Sequence, residues 1–393
     1  MAMPASLPTL SPSVLPSSDQ LAWLALVLTP GLGPQRILRA FRETRHIERI
    51  FSMALTELES LGFPAESAQF IFDGSAQKEA KKEWQNVLAS GATLLTFTDP
   101  GYPERLREIF DPPPVLWVLG NPANLLLPAI AVVGTRRPSP YGMGMSEMLS
   151  RDLASRKLVI LSGMARGIDT AAHKGALAVG GITVAVWGTG VDVIYPKENK
   201  ELAENIIRHG GTIISELPLG TFPAPQNFPK RNRIISGMSV GVLVVEAAEN
   251  SGTRVTARCA IEQNRDVYAV PGNVTNKNSW GPNTLIKQGA RLTATWEDVW
   301  EDLPSQVRLE LDASLGNESD GDRGASLFTE PAMREQELVV YRLLRHDETR
   351  PIDEIMEVLD GQLTSAEVFT ALFELELAGH IKQLPGKNYV RCM

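Results

Sequence analysis

Residues 226–257 read QNFPKRNRIISGMSVGVLVVEAAENSGTRVTA, and this stretch decides the fold. Residues 242–245, Val-Leu-Val-Val, show no polar alternation, as expected of a strand buried on both faces of a parallel sheet. The segment before it reads as a helix, with Asn227 placed to cap it and Pro229 in its first turn. Lys230, Arg231 and Arg233 then put three cations into four residues. Beyond the strand, Ser251, Gly252 and Thr253 open another helix. A small-residue helix start behind a parallel strand suits an anion such as phosphate. The expectation is a phosphate-bearing ligand at the carboxyl edge of a parallel sheet.

The same pattern extends outward. Apolar strands at 129–133, 158–161, 183–187, 212–214, 242–245 and 267–270 alternate with small-residue loops and helical stretches, which is the mark of an α/β fold with a parallel sheet. Two further strands are expected at 93–97 and 115–119. In open sheets of this kind the ligand sits beyond the carboxyl ends of the strands, and there the unusual residues collect. The first loop holds Gly134, Thr135, Arg136 and Arg137, and the second Ser162, Gly163, Met164, Ala165 and Arg166. Glycine lets the backbone approach a ligand closely, and adjacent guanidiniums offer bidentate donors to phosphate oxygens. Asp169 and His173 stand one helical turn apart and read either as an acid/base couple or as structural hydrogen bonding at a helix start. Arg136, Arg137, Arg166, Lys230, Arg231 and Arg233 are expected to line one edge of the sheet. No GxGxxG follows the first strand and no GxxxxGK[ST] occurs, so neither a dinucleotide cofactor nor a P-loop is expected. Cations without a cofactor fingerprint favour a polymeric phosphate ligand.

Composition bounds the rest. A chain of 393 residues exceeds one ordinary domain, and 43% hydrophobic with 21% charged residues is the balance of a globular protein. No apolar run is long enough to cross a bilayer and the first residues lack a signal-peptide pattern, so a cytoplasmic, membrane-free protein is expected. Cys259 and Cys392 are the two cysteines, which supports neither a disulfide framework nor a zinc site, and no metal is expected. The net charge of −8 speaks against nucleic acid, but it is unevenly spread. Residues 123–301 hold 19 Lys and Arg against 15 Asp and Glu, whereas 334–393 hold 7 against 11.

The expected organisation is a disordered stretch at 1–19, a small helical domain at 20–92, an α/β domain at 93–304, an acidic flexible linker at 305–333 and a winged-helix domain at 334–393. In the helical domain the turn at 29–34, TPGLGP, resembles a helix-hairpin-helix. In the last domain Thr364 and Glu367 form a capping box ahead of Val368, Leu372 and Leu375 at helical spacing. Its acidity predicts a protein partner, a second copy or a regulatory role in place of DNA contact.

The motifs GTRRPSPYG, LSGMARGIDTAAHKGAL, WGTGVDVIYPKEN, FPKRNRIISG, VVEAAENSGTRVTA and AVPGN with GPNTLIKQGA occur in order, and over residues 21–290 the chain resembles the DNA-processing protein A family, DprA or Smf. The resemblance continues into the C-terminal domain. It implies a helical domain like a sterile alpha motif (SAM-like), a central extended Rossmann-like fold and a winged helix. It further implies a recombination mediator without enzymatic activity or cofactor. Such a mediator binds and protects single-stranded DNA, pairs as a homodimer through its Rossmann domain, and loads RecA onto strands coated by single-stranded DNA-binding protein in natural transformation. Carried over by motif, Arg136, Lys230, Arg231 and Arg233 would grip phosphates. Gly134, Ser162, Gly163, Asn232, Ser251, Gly252 and Thr253 would shape the pocket and donate hydrogen bonds. The competing expectation is a Rossmann-like hydrolase of nucleoside monophosphates, for which Asp169, Glu216 and Glu246 are the candidate carboxylates.

Overall fold

The structure, a computed structural model, describes residues 16–249, 251–315, 334–346 and 348–391. Five helices come first: α1 (Ser18–Leu28), α2 (Pro34–Thr44), α3 (Leu55–Ser60), α4 (Ala65–Phe72) and α5 (Ser75–Ser90). The expected disorder over 1–19 does not extend to its last residues, because Ser17 starts α1. Its hydroxyl accepts the Gln20 amide at 3.0 Å while the Gln20 side chain accepts the Ser17 amide at 3.2 Å, so orphan donors of the first turn are satisfied reciprocally. Residues 1–15 lie outside the described residues. Trp23, Leu24, Ala25 and Leu26 of α1 are fully buried, which makes α1 the centre of the bundle. The glycine turn after it is pinned by Ser67, whose hydroxyl donates to the Pro30 carbonyl at 2.6 Å.

The sheet has nine strands: β1 (Thr93–Thr96), β2 (Val115–Gly120), β3 (Ala129–Val133), β4 (Val159–Ser162), β5 (Thr183–Val186), β6 (Thr212–Ser215), β7 (Gly241–Val244), β8 (Asp266–Ala269) and β9 (Arg291–Leu292). Their order is β1-β2-β6-β5-β4-β3-β7-β8-β9. From β6 to β9 every pairing is parallel, and β2 joins β6 and β1 antiparallel. All strands read from the sequence are present, with ends displaced by a residue or two. The short, exposed β9 has no apolar run to announce it.

Burial on both faces explains the unbroken apolar runs. Ile130 and Val132 of β3 pack on one side with Met145, Leu149 and Leu153 of α7 (Pro140–Ser155) and Ile168 of α8 (Ile168–Ala178). Ala131 and Val133 face the other side, with Ile234 and Ile235 of α10 (Asn227–Met238) and Ala257 and Ala260 of α11 (Thr253–Glu262). In chain order the remaining helices of this domain are α6 (Glu104–Arg107), α9 (Lys200–Arg208), α12 (Trp280–Lys287), α13 (Trp296–Trp300) and α14 (Ser305–Leu315).

The last of these corrects the expected linker at 305–333. Val307 and Leu311, one helical turn apart, are 4% and 2% exposed and join the core beneath β3 and β7, so two apolar residues at the right spacing outweigh the acidic composition around them. Residues 316–333 lie outside the described residues. The C-terminal unit comprises α15 (Glu335–Leu343), α16 (Ile352–Val358), α17 (Ser365–Leu377) and a three-stranded sheet of β10 (Arg350–Pro351), β11 (Ile381–Leu384) and β12 (Asn388–Arg391) in the order β10-β12-β11. The capping box at Thr364 is formed, with Glu367 accepting the Thr364 amide at 2.8 Å.

The chain leaves β3 toward β4, β5 and β6, then returns to lay β7 on the other flank of β3. That reversal opens a crevice at the carboxyl ends of β3 and β7, where ligands of open α/β sheets bind.

Candidate functional site

A groove of about 1100 Å³ opens there. The loop after β3 supplies Gly134, Thr135, Arg136 and Arg137, and α10 supplies Phe228, Arg231, Asn232 and Ile235. Ser251, Gly252 and Thr253 enter from the start of α11, and Lys277, Asn278 and Trp280 from the segment that begins α12. Four cations (Arg136, Arg137, Arg231, Lys277) meet two carboxylates (Asp169, Glu249) on the lining, so the groove is cationic on balance.

One buried carboxylate braces these loops. Glu246, directly after β7, accepts the Ser139 amide at 2.8 Å, the Ser139 hydroxyl at 2.5 Å and the Asn278 side-chain amide at 3.3 Å. Ser139 in turn caps α7 by accepting the Gly142 amide at 3.1 Å. The Thr135 amide donates to the Glu246 carbonyl at 2.7 Å, and Ala247 donates to Asn278 at 2.7 Å. The rim is therefore held before any ligand arrives, which lowers the ordering cost of binding. Gly134 is required by packing, since a side-chain carbon there would overlap Ile168.

Arg231 is the floor of the groove. It is 5% exposed, donates from Nη1 to the Val186 carbonyl, and lies where a side chain at Gly163 would overlap its guanidinium. Burial lowers its pKa to about 10, opposed by the charge of Asp169, so it is a cation at neutral pH. Asp169 accepts the amides of Gly163 and Ala165 at 3.1 and 3.3 Å. Burial pushes its carboxyl up, and Arg231 draws it back down. His173 instead shares a 2.7 Å hydrogen bond between Nδ1 and Thr183, and burial drives its pKa down to about 3. Asp169 and His173 thus brace the start and body of α8, and the structural alternative is the one the fold adopts.

Arg136 and Arg137 are exposed. The Arg136 guanidinium lies 5.8 Å from the Phe228 ring centroid, and Phe228 lies 5.4 Å from the Tyr195 ring. Ser251 accepts the Thr253 amide at 3.2 Å and donates to its hydroxyl at 2.9 Å, which fixes the entry to α11.

Several expected residues lie elsewhere. Arg233 points away from the groove, its Nε 2.9 Å from Asp111 and its Nη2 2.6 Å from Glu216. The reason is helical period: residues 231 and 233 are about 200° apart on α10, so one face cannot present both, whereas 228, 231, 232 and 235 share the groove side. Lys230 is exposed and not part of the lining. Arg166 is exposed and paired with Glu198, beside a smaller pocket of about 30 Å³ that it shares with Gly163, Trp187, Tyr195, Phe228 and Arg231. Ser162 is fully buried, its hydroxyl donating to the Val132 carbonyl at 2.6 Å, so it fastens β4 to β3 and faces no ligand. Asn227 lies inside α10 and makes no capping bond with its side chain.

Lys277, Asn278 and Trp280 were not singled out by the sequence, where they form no strand-end cluster. The proline and glycines around them were the available signal. Among the described residues no group of three or more His, Cys, Asp or Glu side chains is arranged to hold a metal ion, and no helix is long and apolar enough to cross a membrane.

A family profile described as DNA recombination-mediator protein A matches residues 93–304, and one described as DprA winged helix domain matches residues 329–387. Protein Smf of Escherichia coli is 44% identical over 292 residues, 74% of this chain and 75% of its own length. DNA processing protein DprA of Streptococcus pneumoniae is 45% identical over 270 residues, 68% of this chain and 93% of its own length. Superposed on the X-ray structure of DNA processing protein A from Streptococcus pneumoniae, this chain gives a TM-score of 0.65 at 35% identity, covering 72% of this chain and 98% of the other.

Proposed function

This chain belongs to the DNA recombination-mediator protein A family, and from that premise we propose that it is a non-enzymatic mediator that grips single-stranded DNA in the groove between β3 and β7. The observation that carries the reading is a braced, cationic groove at the switch point of a parallel sheet, with Arg136, Arg137, Arg231 and Lys277 on its lining and no cofactor fingerprint beside it. A phosphate chain threads a groove of this kind without base readout. Gly134, Asn232 and Ser251 to Thr253 shape the walls. Gly163 makes room for Arg231. Arg166 and Lys230 act as outlying cations that attract the strand.

The reading extends to the assembled system. The protein works in the cytoplasm as a homodimer through its Rossmann domain, protects the strand, and delivers RecA to DNA coated by single-stranded DNA-binding protein during transformation and recombination. Its winged helix meets protein in preference to DNA, since that domain is acidic.

Binding to single- and double-stranded oligomers across a salt series tests the central claim. Strong single-strand preference with a steep loss of affinity as salt rises is expected. Equal binding to both, or binding indifferent to salt, refutes it. The nucleoside-monophosphate hydrolase reading finds its three carboxylates engaged: Asp169 with two amides, Glu216 with Arg233 and Glu246 with Ser139. Free base released from a nucleoside monophosphate by the purified protein would restore it.

A further inference from the structure

The groove holds an aromatic that the phosphate grip does not use. Trp280, the first residue of α12, lines the groove wall and is 38% exposed, although its large indole would gain from burial. The Arg254 guanidinium lies over the indole, 5.3 Å from the ring centroid. Arg254 is itself tied to the Glu249 carbonyl at 2.8 Å.

The backbone beneath Trp280 is fixed from both sides. The Gly281 amide donates to the Ala247 carbonyl at 2.8 Å, and Gly281 packs so closely on Ala247 that a side chain there would overlap it. Asn278, two residues earlier, donates to the Arg137 carbonyl at 2.9 Å and to Glu246. Trp280 thus stands on a support shared by the loops after β3 and β7, which also carry Arg137 and Ser251.

We propose that Trp280 is a base-stacking platform on the α12 side of the groove, held by Arg254, on which one nucleobase of the bound strand rests while its phosphates meet Arg136, Arg137 and Arg231. Phe228, with Arg136 and Tyr195 beside it, occupies the α10 wall. Each wall thus pairs an aromatic ring with an arginine. Stacking on an aromatic face is tolerant of base identity, because every base has a π-face, so the platform adds affinity without sequence readout. This inference rests on the reading of the groove as a grip on single-stranded DNA.

The test compares a dT 20-mer with an abasic 20-mer of the same charge, bound to the full chain and to W280F, W280L and W280A, with folding checked by circular dichroism. Loss of one base–aromatic stack corresponds to about 5- to 150-fold in affinity. W280A and W280L are expected to weaken dT binding by that factor, to narrow the gap between dT and abasic oligomers, and to leave the salt slope unchanged, since no phosphate contact is lost. W280F, which keeps a ring, is expected to retain most of the affinity. W280L controls for loss of apolar bulk. If the dT-to-abasic gap is the same in wild type and in folded W280L, the platform alone is refuted. If W280L lowers the salt slope as R136A does, Trp280 acts only by positioning a cation, and the platform is again refuted. If wild type binds neither oligomer, the groove reading falls and the platform with it.

Discussion

Replacing Arg233 by Ala separates a cation that builds the groove from one that grips in it. The Arg233 side chain is 12% exposed and its partner Glu216 14%, with 2.6 Å between them, while Asp111 stands at 2.9 Å and is 35% exposed. Removing the cation leaves Glu216 desolvated and uncompensated, which for a buried pair costs roughly 3–5 kcal/mol. Asp111 adds less, because its carboxylate is about a third exposed and water can take over part of the lost pairing. Burial already pushes the Glu216 carboxyl up against the pull of Arg233, so without that cation it takes up a proton more readily. A large fall in the urea midpoint is therefore expected for R233A, with much of it recovered in R233A/E216Q, where no charge remains stranded. Oligo-dT affinity falls through loosening of α10, but the slope of log affinity against log salt is expected to match wild type. R136A is expected to behave in the opposite way, with an unchanged urea midpoint and a slope lower by about 0.7, the value for one single-strand phosphate contact. An R233A protein with a wild-type urea midpoint and a slope reduced by about 0.7 would refute this division of labour.

Three further outcomes follow from the same geometry. His173 is pushed to about pKa 3 by burial, with the Arg231 charge acting in the same direction. Between pH 3 and 6.5 the unfolded chain therefore binds a proton the folded one refuses, and stability falls as pH drops, by roughly 2 kcal/mol between pH 7 and 5; urea midpoints at the two pH values in H173Q should lose that component. Leu311 of α14 packs into the core under the sheet, so L311A is expected to cost roughly 2–5 kcal/mol by thermal or urea melting; a neutral L311A would return residues 305–315 to the role of linker. G163A places a methyl group against the Arg231 guanidinium and is expected to cost about 1–3 kcal/mol of stability and to weaken oligo-dT binding together; a variant with native stability and native binding would show that Arg231 has other room to sit.

The sequence by itself determined the α/β class, eight of the nine strands of the sheet and the edge where the groove opens. Unbroken apolar runs such as 242–245 require burial on two faces, and glycine, serine and arginine gathered after successive strands mark the carboxyl edge. The tertiary structure decided which residues share that edge. Helical period sends Arg231 into the groove and Arg233 into an ion pair with Glu216, although the two are separated by a single residue. Ser162 looks like a loop donor in one dimension but spends its hydroxyl on β3. Trp280, with no strand-end signal of its own, reaches the groove because Gly281 and Asn278 dock its segment on the end of β7. Composition hid α14, since two buried residues at helical spacing count for more than the acidic residues around them. Local periodicity is written in the order of the residues, whereas pairings between distant segments depend on which faces the packed elements turn toward one another, and that was fixed only when the sheet and its helices closed.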